Sequence, residues 1–484
     1  MGLTLDTVTV SDRDGRPLVD RLTLDIPAGG IHVLVGESGS GKSIVCSAIA
    51  GTLTDNLSLS GRIVLDGKDL TCLSVKERRA LWAKQLFLIP QEPWTSLAQS
   101  RSALTQVADM PRLHQNLSRA SALATARHRL HQLGLSVIDD GAKWPSQLSG
   151  GMCQRIAVAT ALGAPARLIL VDEPTKGLDA QRRDEIAHAL RTLLDQGRSM
   201  LLVTHDLAFA DQFSGRITVL RDGRIVEQGS IQDVLRAPCQ PYTRLLVRAA
   251  PNNWPRRSWR KGNRVAALED VTVRGGHRGP VVAEGLSLAL HERTVVGLVG
   301  PSGSGKTTIG NTLLKLQRPL RGRVDWAASD DRSKFQKLYQ NPDAAFAPWR
   351  TIADTLSDAL AGSGKIKSSL EQEVRPLLRE VNLSRSLLQR KPTEVSGGEL
   401  QRLSLVRAML CEPLLLFADE PTSRLDQITQ MKVMSFIVRL VSERSLSILL
   451  VSHDLDLVRA VTNDISQVGC ATEIRNDEAG RTAL

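Results

Sequence analysis

Long apolar runs, paired cysteines and aromatic residues are scarce in this sequence of 484 residues. The longest apolar runs, such as residues 200–203 and 414–418, fall far short of the roughly 18 residues that a membrane span requires. Six scattered cysteines form no CxxC pair, which argues against a zinc site or a disulfide framework and indicates a reducing cytoplasm. The first residues lack the basic stretch and apolar core of a secretory signal. If the protein works at a membrane, other chains must cross it.

Length and charge limit the possible classes of protein. The chain is long enough for two or three domains, and a hydrophobic content of 42% lets each of them bury a core. A net charge of +11 is compatible with nucleic acid or an anionic membrane as partner. It is equally compatible with a soluble protein that has basic phosphate sites and an arginine-rich surface. Aromatic residues make up only 3% and no basic stripe is interleaved with them, so we expect no nucleic-acid partner.

The sequence contains one long internal repeat. The glycine-rich segment 35–43 returns at 299–307, an offset of 264 residues. A Ser-Gly-Gly block begins at Ser149 and again at Ser396, and in each half an Asp-Glu-Pro-Thr block begins 23 residues later. A period this long indicates duplicated domains, because solenoid repeats have periods nearer 20–50 residues. We predict a first domain over residues 1–250 and a second over residues 265–484.

Residues 251–264, between the two predicted domains, combine prolines and asparagines with positive charge and no acidic residue. This composition is typical of a linker. We interpret the segment as a basic, solvated tether. Contact with anionic lipid or with a phosphate backbone is the alternative.

Apolar patterns place the shared motifs on strands. Residues 31–35 and 295–299 are short, β-rich runs that lead into the glycine loops, and a helical pattern follows each loop. Residues 168–171 and 415–418 are uninterrupted apolar runs that end in Asp-Glu, and similar runs precede His205 and His453. Continuous apolar strands that alternate with helices predict an α/β fold with a mainly parallel sheet covered on both faces. Ligands of such sheets bind at the carboxyl ends of the strands, where all of these motifs fall.

The glycine loops match GxxxxGK[ST], the Walker A phosphate loop. Its glycines let backbone N–H groups turn inward around phosphates, and the following helix presents its positive end. Lys42 and Lys306 should reach the β- and γ-phosphates, and Ser43 and Thr307 should bind Mg²⁺. The predicted nucleotide-binding residues of the loops are Gly36, Glu37, Ser38, Gly39, Ser40, Gly41, Lys42 and Ser43, and Gly300, Pro301, Ser302, Gly303, Ser304, Gly305, Lys306 and Thr307.

The acidic pairs at the strand ends suit two different tasks. Asp172 and Asp419 should hold Mg²⁺, directly or through water. Glu173 and Glu420 follow immediately and suit a general base that polarises the attacking water. A structural salt bridge is the alternative for such carboxylates.

Two further motifs complete each half. His205 and His453 lie 33 and 34 residues beyond their aspartates, and they are expected to contact the γ-phosphate. The Ser-Gly-Gly serines should cap helices whose N-terminal amides are free to bind an anion. The predicted anion-binding residues of these blocks are Ser149, Gly150, Gly151, Ser396, Gly397 and Gly398.

Taken together, the motifs resemble those of the ATP-binding subunits of ABC transporters over almost the whole chain. Each half has a Walker A loop, a glutamine loop (Gln91, Gln340), an LSGG-type signature, a Walker B strand and a switch histidine. The resemblance implies two RecA-like ATPase domains, each with a helical signature subdomain, and ATP and Mg²⁺ as cofactors. It implies that Gln91 and Gln340 take part in catalysis and in binding the metal. It also implies two ATP molecules held head-to-tail, with the Walker A loop of one half facing the signature of the other.

A finer resemblance concerns the end of the first half. Pro241-Tyr242-Thr243 and the segments around both glutamine loops resemble the ATPases of oligopeptide, dipeptide and nickel importers. This implies two transmembrane permease subunits as partners, whose coupling helices would contact the glutamine loops. It also implies an extracytoplasmic solute-binding protein as an indirect partner, and a location at the cytoplasmic face of the inner membrane. The alternatives are a soluble ABC ATPase that acts on ribosomes or nucleic acid and the motor of an exporter.

The sequence departs from that family at the adenine site. Transporter ATPases of this kind usually have an aromatic residue near the start of the domain that stacks on adenine. The aligned positions here are Val10 and Val273. We therefore expect weaker or less base-selective adenine binding, since base stacking on a ring is worth about 1–3 kcal/mol.

Overall fold

The computed structural model describes residues 2–138, 140–175, 178, 180–276, 279–301, 303–327, 329, 331–366, 369–462 and 464–468. The chain divides into two compact units, Met1–Ala250 and Pro251–Leu484, which we call the first unit and the second unit. Each is described by itself below.

The first unit contains two sheets. Its strands are β1 (Leu3–Ser11), β2 (Pro17–Ile26), β3 (Ile31–Val35), β4 (Ser58–Leu65), β5 (Lys68–Asp69), β6 (Leu86–Ile89), β7 (Leu168–Asp172), β8 (Ser199–Val203), β9 (Arg216–Arg221) and β10 (Arg224–Ser230). A four-stranded antiparallel sheet has the order β2-β1-β4-β5. A six-stranded sheet has the order β10-β9-β3-β8-β7-β6 and is parallel except for β10.

Helices cover the six-stranded sheet and form a separate helical layer. They are α1 (Lys42–Ala50), α2 (Val75–Leu81), α3 (Pro93–Ser96), α4 (Ala103–His114), α5 (Arg119–Gln132), α6 (Gly150–Gly163), α7 (Ala180–Asp195), α8 (Leu207–Ala210), α9 (Ile231–Arg236) and α10 (Pro241–Ala249). The helices α4, α5 and α6 pack against one another. They form the helical subdomain that carries the signature block.

The second unit repeats this architecture with fewer elements. Its strands are β11 (Arg264–Arg274), β12 (Val281–His291), β13 (Val295–Val299), β14 (Arg321–Trp326), β15 (Phe335–Leu338), β16 (Leu415–Asp419), β17 (Ser447–Val451) and β18 (Ile465–Gln467). Its helices are α11 (Lys306–Leu313), α12 (Ile352–Gly362), α13 (Leu370–Glu380), α14 (Gly397–Leu410), α15 (Gln427–Glu443) and α16 (Leu455–Val461). Across the described part of both units, no helix combines the length and the apolar character needed to cross a membrane.

The central sheets of the two units have the same strand order. The parallel strands β9-β3-β8-β7-β6 of the first unit correspond to β18-β13-β17-β16-β15 of the second. Every residue of the strands that lead into the motifs is buried, as expected for a parallel sheet that is covered on both faces. The predicted parallel sheet is therefore confirmed, and the carboxyl ends of these strands bring the motifs together.

The segment 251–264 is not the solvated tether that its composition predicted. Trp254 and Trp259 pack against the core of the second unit, and the Trp259 indole donates a hydrogen bond to the Val461 carbonyl at 2.7 Å. Lys261 forms an ion pair with Asp464 at 3.1 Å. The arginines of the segment are exposed, so the composition correctly indicated solvation of the charges but missed the two apolar anchors.

Replacing Trp259 with alanine should destabilise the second unit by about 1–3 kcal/mol, because it removes both a buried contact and a hydrogen bond. Urea unfolding, combined with hydrogen exchange of α16, would measure the effect. Trp349→Ala removes an exposed indole and serves as the control, with an expected change within about 0.5 kcal/mol. Unchanged exchange of α16 in Trp259→Ala would show that the segment is a free tether after all.

Candidate nucleotide-binding sites

The first phosphate loop connects β3 to α1 and wraps around a buried lysine. Lys42 Nζ donates hydrogen bonds to the carbonyls of Gly36 at 2.8 Å and Glu37 at 2.7 Å. Gly41 has φ 98°, and a Cβ there would lie 2.8 Å from the Leu18 carbonyl oxygen, so the tight loop requires glycine at this position. No side chain caps α1, which leaves the start of the helix suited to an anion.

The second phosphate loop has the same construction. Lys306 Nζ donates to the carbonyls of Gly300 at 2.9 Å and Pro301 at 2.7 Å. Gly305 caps α11 with φ 93° and contributes no side chain. Ser302, which the sequence also predicts in this loop, lies outside the described residues. Both loops therefore fit a bound phosphate group, with a glycine cradle, a lysine and an open helix start.

An oxygen-rich pair lies beside the second loop. Thr307 Oγ1 donates to Asp419 Oδ2 at 2.8 Å, which joins the helix after the loop to the end of β16. Burial raises the pKa of Asp419, and this effect outweighs the opposing influence of Thr307 and Lys337. A hydroxyl and a carboxylate are ligands that Mg²⁺ accepts, and a cation would stabilise the charged carboxylate. In the first unit, Asp172 is buried at the end of β7 and Ser43 is half-buried at the start of α1.

The two predicted general bases share an unusual backbone conformation. Glu173 has φ 50° and Glu420 has φ 49°, in the left-handed region that non-glycine residues seldom adopt. A backbone hydrogen bond holds each in place, from Glu173 N to the Val203 carbonyl and from Glu420 N to the Val451 carbonyl, both at 2.9 Å. Such residues cluster at functional sites, where the surrounding structure offsets about 1–3 kcal/mol of strain.

Each glutamate contacts its switch histidine. His205 Nδ1 lies 2.7 Å from Glu173 Oε2, and His453 Nδ1 lies 3.4 Å from Glu420 Oε1. Burial by itself would raise the pKa of Glu173, but the neighbouring His205 and the Lys42 ammonium together lower it. Burial likewise opposes the charged form of His205, yet Glu173 raises the pKa of this imidazole. The pair therefore favours a carboxylate beside a protonated histidine.

The glutamine loops differ between the units. Gln340 Nε2 donates to Glu420 Oε2 at 3.1 Å, so this side chain joins the second site directly. Burial opposes the charged form of Glu420, but His453 and Gln340 outweigh it and lower the pKa of this carboxyl. Gln91 is half-buried after β6, and within the described part of the first unit its side chain makes no such bond to Glu173.

The signature serines cap their helices as predicted. Ser149 Oγ accepts from Met152 N, and Ser396 Oγ accepts from Glu399 N, each at 3.3 Å. The second cap is reciprocal, because Glu399 Oε2 accepts from Ser396 N at 3.1 Å. The glycines that follow, predicted to bind an anion, form the first turns of the two helices: Gly150, Gly151, Gly397 and Gly398.

Sequence reasoning missed a residue that joins the signature helix to the second acidic pair. Gln401 Nε2 donates to the Glu420 carbonyl at 3.0 Å, and Gln401 Oε1 accepts from Arg424 N at 3.2 Å. The first of these hydrogen bonds holds the strained backbone of Glu420, the predicted general base. The repeated Gln-Arg pair, at residues 154–155 and 401–402, was the available signal.

The two positions aligned with the adenine-stacking aromatic are both core positions. Val10 in β1 and Val273 in β11 are fully buried. Their side chains belong to the apolar cores beneath the antiparallel sheets. Neither valine contributes an exposed surface to a nucleotide, so the structure offers no aliphatic substitute for the ring at these positions.

Comparison with known proteins identifies the family. Residues 19–176 and 283–423 match the family model described as ABC transporter. Over 473 residues the chain is 33% identical to the peptidoglycan transport ATP-binding protein YejF of Agrobacterium fabrum, which covers 92% of this chain and 86% of that protein. The chain belongs to the ABC transporter family. It is an ATPase with two α/β ATP-binding cassettes in one polypeptide.

Other similarities extend this result. The ABC ATPase is 28% identical over 518 residues to the glutathione import ATP-binding protein GsiA of Escherichia coli strain K12, covering 96% of this chain and 83% of that one. A solved structure of an archaeal ribosome recycling factor with a ribosomal stalk protein matches with a TM-score of 0.67 and 21% identity, covering 95% of this chain and 87% of that chain. At 21% identity, the likeness to the ribosome recycling factor shows the fold alone.

Proposed function

We propose that this ABC ATPase is the energy-supplying subunit of an importer and powers uptake of peptide-containing solutes through separate permease subunits. The observation that carries the proposal is the duplicated site: each unit has a phosphate loop with a buried lysine and a strained glutamate paired with histidine. Both halves are therefore equipped for hydrolysis. The names of two relatives support this direction and solute class, since one is named for glutathione import and another for peptidoglycan transport.

The geometry supports the following residue roles. Lys42 and Lys306 would bind the β- and γ-phosphates, and the glutamates would accept a proton from the attacking water. His205 and His453 would orient their glutamates and contact the γ-phosphate. The remaining predicted ligands would hold Mg²⁺, which when bound neutralises phosphate charge: Ser43, Asp172, Gln91, Thr307, Asp419 and Gln340. Mg²⁺ is usually bound through one or two carboxylates together with substrate phosphates and water, so phosphate and water would complete the metal's shell.

The partners would be two transmembrane permease subunits, with an extracytoplasmic solute-binding protein acting through them. The ATPase would then be held at the cytoplasmic face of the inner membrane. An exposed tryptophan follows each glutamine, Trp94 in α3 and Trp349 after Gln340. Exposed indoles are typical anchors of protein interfaces, and these two lie where coupling helices are expected.

Trp349→Ala combined with Trp94→Ala should weaken permease binding by more than about 100-fold, because hot-spot tryptophans contribute about 2 kcal/mol or more each. The test is co-purification with co-expressed candidate permease subunits, in detergent and then in proteoliposomes. Ile366→Ala is the matched control, since Ile366 and Trp349 are both 74% exposed and only Trp349 lies near a glutamine loop. ATPase activity without permeases should be unchanged in both variants.

Solute class is tested in the same proteoliposomes. A binding protein loaded with peptide should stimulate ATP hydrolysis, whereas one loaded with a nickel chelate should not. Stimulation by the nickel chelate alone would replace the peptide assignment. Failure to bind any permease, together with association with ribosomes or nucleic acid, would replace the importer assignment by the soluble alternative.

A further inference from the structure

The tail of the first unit reaches its own phosphate loop through one hydroxyl group. Tyr242, the second residue of α10, is buried, and its hydroxyl oxygen accepts a hydrogen bond from Glu37 N at 3.3 Å. The two residues are 205 positions apart in the chain. We propose that Tyr242 is a positioning residue for ATP binding at the first phosphate loop, and that it makes the two nucleotide sites unequal.

The start of α10 is held rigidly, so the hydroxyl has a defined position. The Glu227 carboxylate on β10 accepts from Cys239 N at 2.8 Å and from Gln240 N at 3.0 Å, immediately before the helix. The Arg221 guanidinium lies 4.9 Å from the centre of the Tyr242 ring, a cation–π contact. Two neighbouring elements, β9 and β10, therefore fix the ring that faces the loop.

Glu37 connects Tyr242 to the phosphate-binding lysine, because it contacts both side chains. Tyr242 holds the N–H of the Gly36–Glu37 peptide, and the carbonyl of that same peptide, Gly36 O, accepts from Lys42 Nζ at 2.8 Å. The Glu37 carbonyl, in the next peptide, accepts from Lys42 Nζ as well, at 2.7 Å. Burial and the nearby Glu37 carboxylate raise the pKa of Tyr242, so its hydroxyl stays protonated at neutral pH and can also donate to that carboxylate. Tyr242 thus fixes the peptide whose carbonyl orients Lys42.

The second loop reaches the same result without a tyrosine. Its equivalent of Glu37 is Pro301, whose carbonyl accepts from Lys306 Nζ at the same distance of 2.7 Å. Proline has no N–H group to offer a hydroxyl, and its ring fixes φ covalently. The only other tyrosine in the sequence, Tyr339, directly precedes Gln340. One loop is therefore held by a ring within the backbone, and the other by a hydrogen bond from the Pro-Tyr-Thr segment.

Tyr242→Phe should weaken ATP binding about 3–10-fold at the first site only, the effect expected from loss of one hydrogen bond. The dissociation constant of a fluorescent ATP analogue is measured in two backgrounds. In the Lys306→Ala background, binding is measured at the first site. In the Lys42→Ala background, it is measured at the second site. The weakening is expected in the Lys306→Ala background and absent in the Lys42→Ala background. Equal weakening in both, or a lowered melting temperature with no site preference, would show a merely structural role and overturn the proposal.

A double-mutant cycle tests the link to Glu37 directly. Glu37→Pro gives the first loop the residue of the second and removes the N–H group that Tyr242 holds. Tyr242→Phe should then change binding by less than about twofold, compared with about 3–10-fold when Glu37 is present. An effect of the same size in both backgrounds would contradict the proposed contact. These measurements concern nucleotide binding alone, so they stand or fall separately from the importer assignment.

Discussion

Glu420→Gln and Glu173→Gln should each lower ATP turnover at their own site by more than about 100-fold, while ATP still binds. The amide keeps the size of the side chain and one accepting oxygen but cannot accept a proton from water. The left-handed backbone at φ 49–50° and the histidine contact direct each carboxylate toward one place. We expect each carboxylate to act by accepting a proton, and the isosteric amide removes this basicity without disturbing the fold.

Single-turnover hydrolysis, with ATP binding measured in parallel, would check this result. Glu443→Gln is the matched control, because that glutamate is exposed at the end of α15 and forms only a 3.9 Å ion pair with Arg439. It should leave turnover within about twofold, since exposed ion pairs contribute little. Unchanged turnover in both catalytic-pair variants would show that Glu173 and Glu420 are structural carboxylates.

Ser396→Arg should weaken ATP binding at the first Walker A loop by at least about tenfold, although the mutated residue belongs to the second unit. Family resemblance implies that each signature helix completes the γ-phosphate site of the opposite half. Ser396 caps α14, and an arginine there removes the cap and crowds the helix start. Loss of even one charge-assisted hydrogen bond, about 1.5–3 kcal/mol, weakens binding by roughly 10–150-fold.

The affected half can be assigned by photolabelling with an ATP analogue and then cutting the chain between the units. Residues 255–258 are exposed between the packed Trp254 and Trp259, so a protease site is engineered there. Ser396→Arg should remove label from the first fragment, and the reciprocal Ser149→Arg should remove it from the second. If each variant instead removed label from its own fragment, the sites would not be shared.

Much of this arrangement could be predicted because each motif is local. The lysine, its glycine cradle and the following helix lie within eight residues of one another, and continuous apolar strands predict the parallel sheet that gathers the motifs. Duplication strengthened the prediction, since both units have the same strand order. The serine caps were also predictable, because an N-cap bonds only three residues ahead.

Other features depend on how distant segments meet. Segment 251–264 looked solvated because its charges are exposed, yet Trp259 is held by a carbonyl about 200 residues away. The bond from Gln401 to the Glu420 carbonyl and the left-handed conformation of the two glutamates also have no sequence pattern of their own.

The sequence by itself indicated the family, the duplication and the candidate chemical groups of each site, since short-range spacing is enough to specify them. Only the tertiary structure decided that Tyr242 accepts a hydrogen bond from the first phosphate loop, at Glu37 N, whereas the proline at the aligned position of the second loop is visible in the sequence. The physical reason is that a hydrogen bond between residues 205 positions apart depends on the path of the whole unit, whereas a phosphate loop depends on eight consecutive residues.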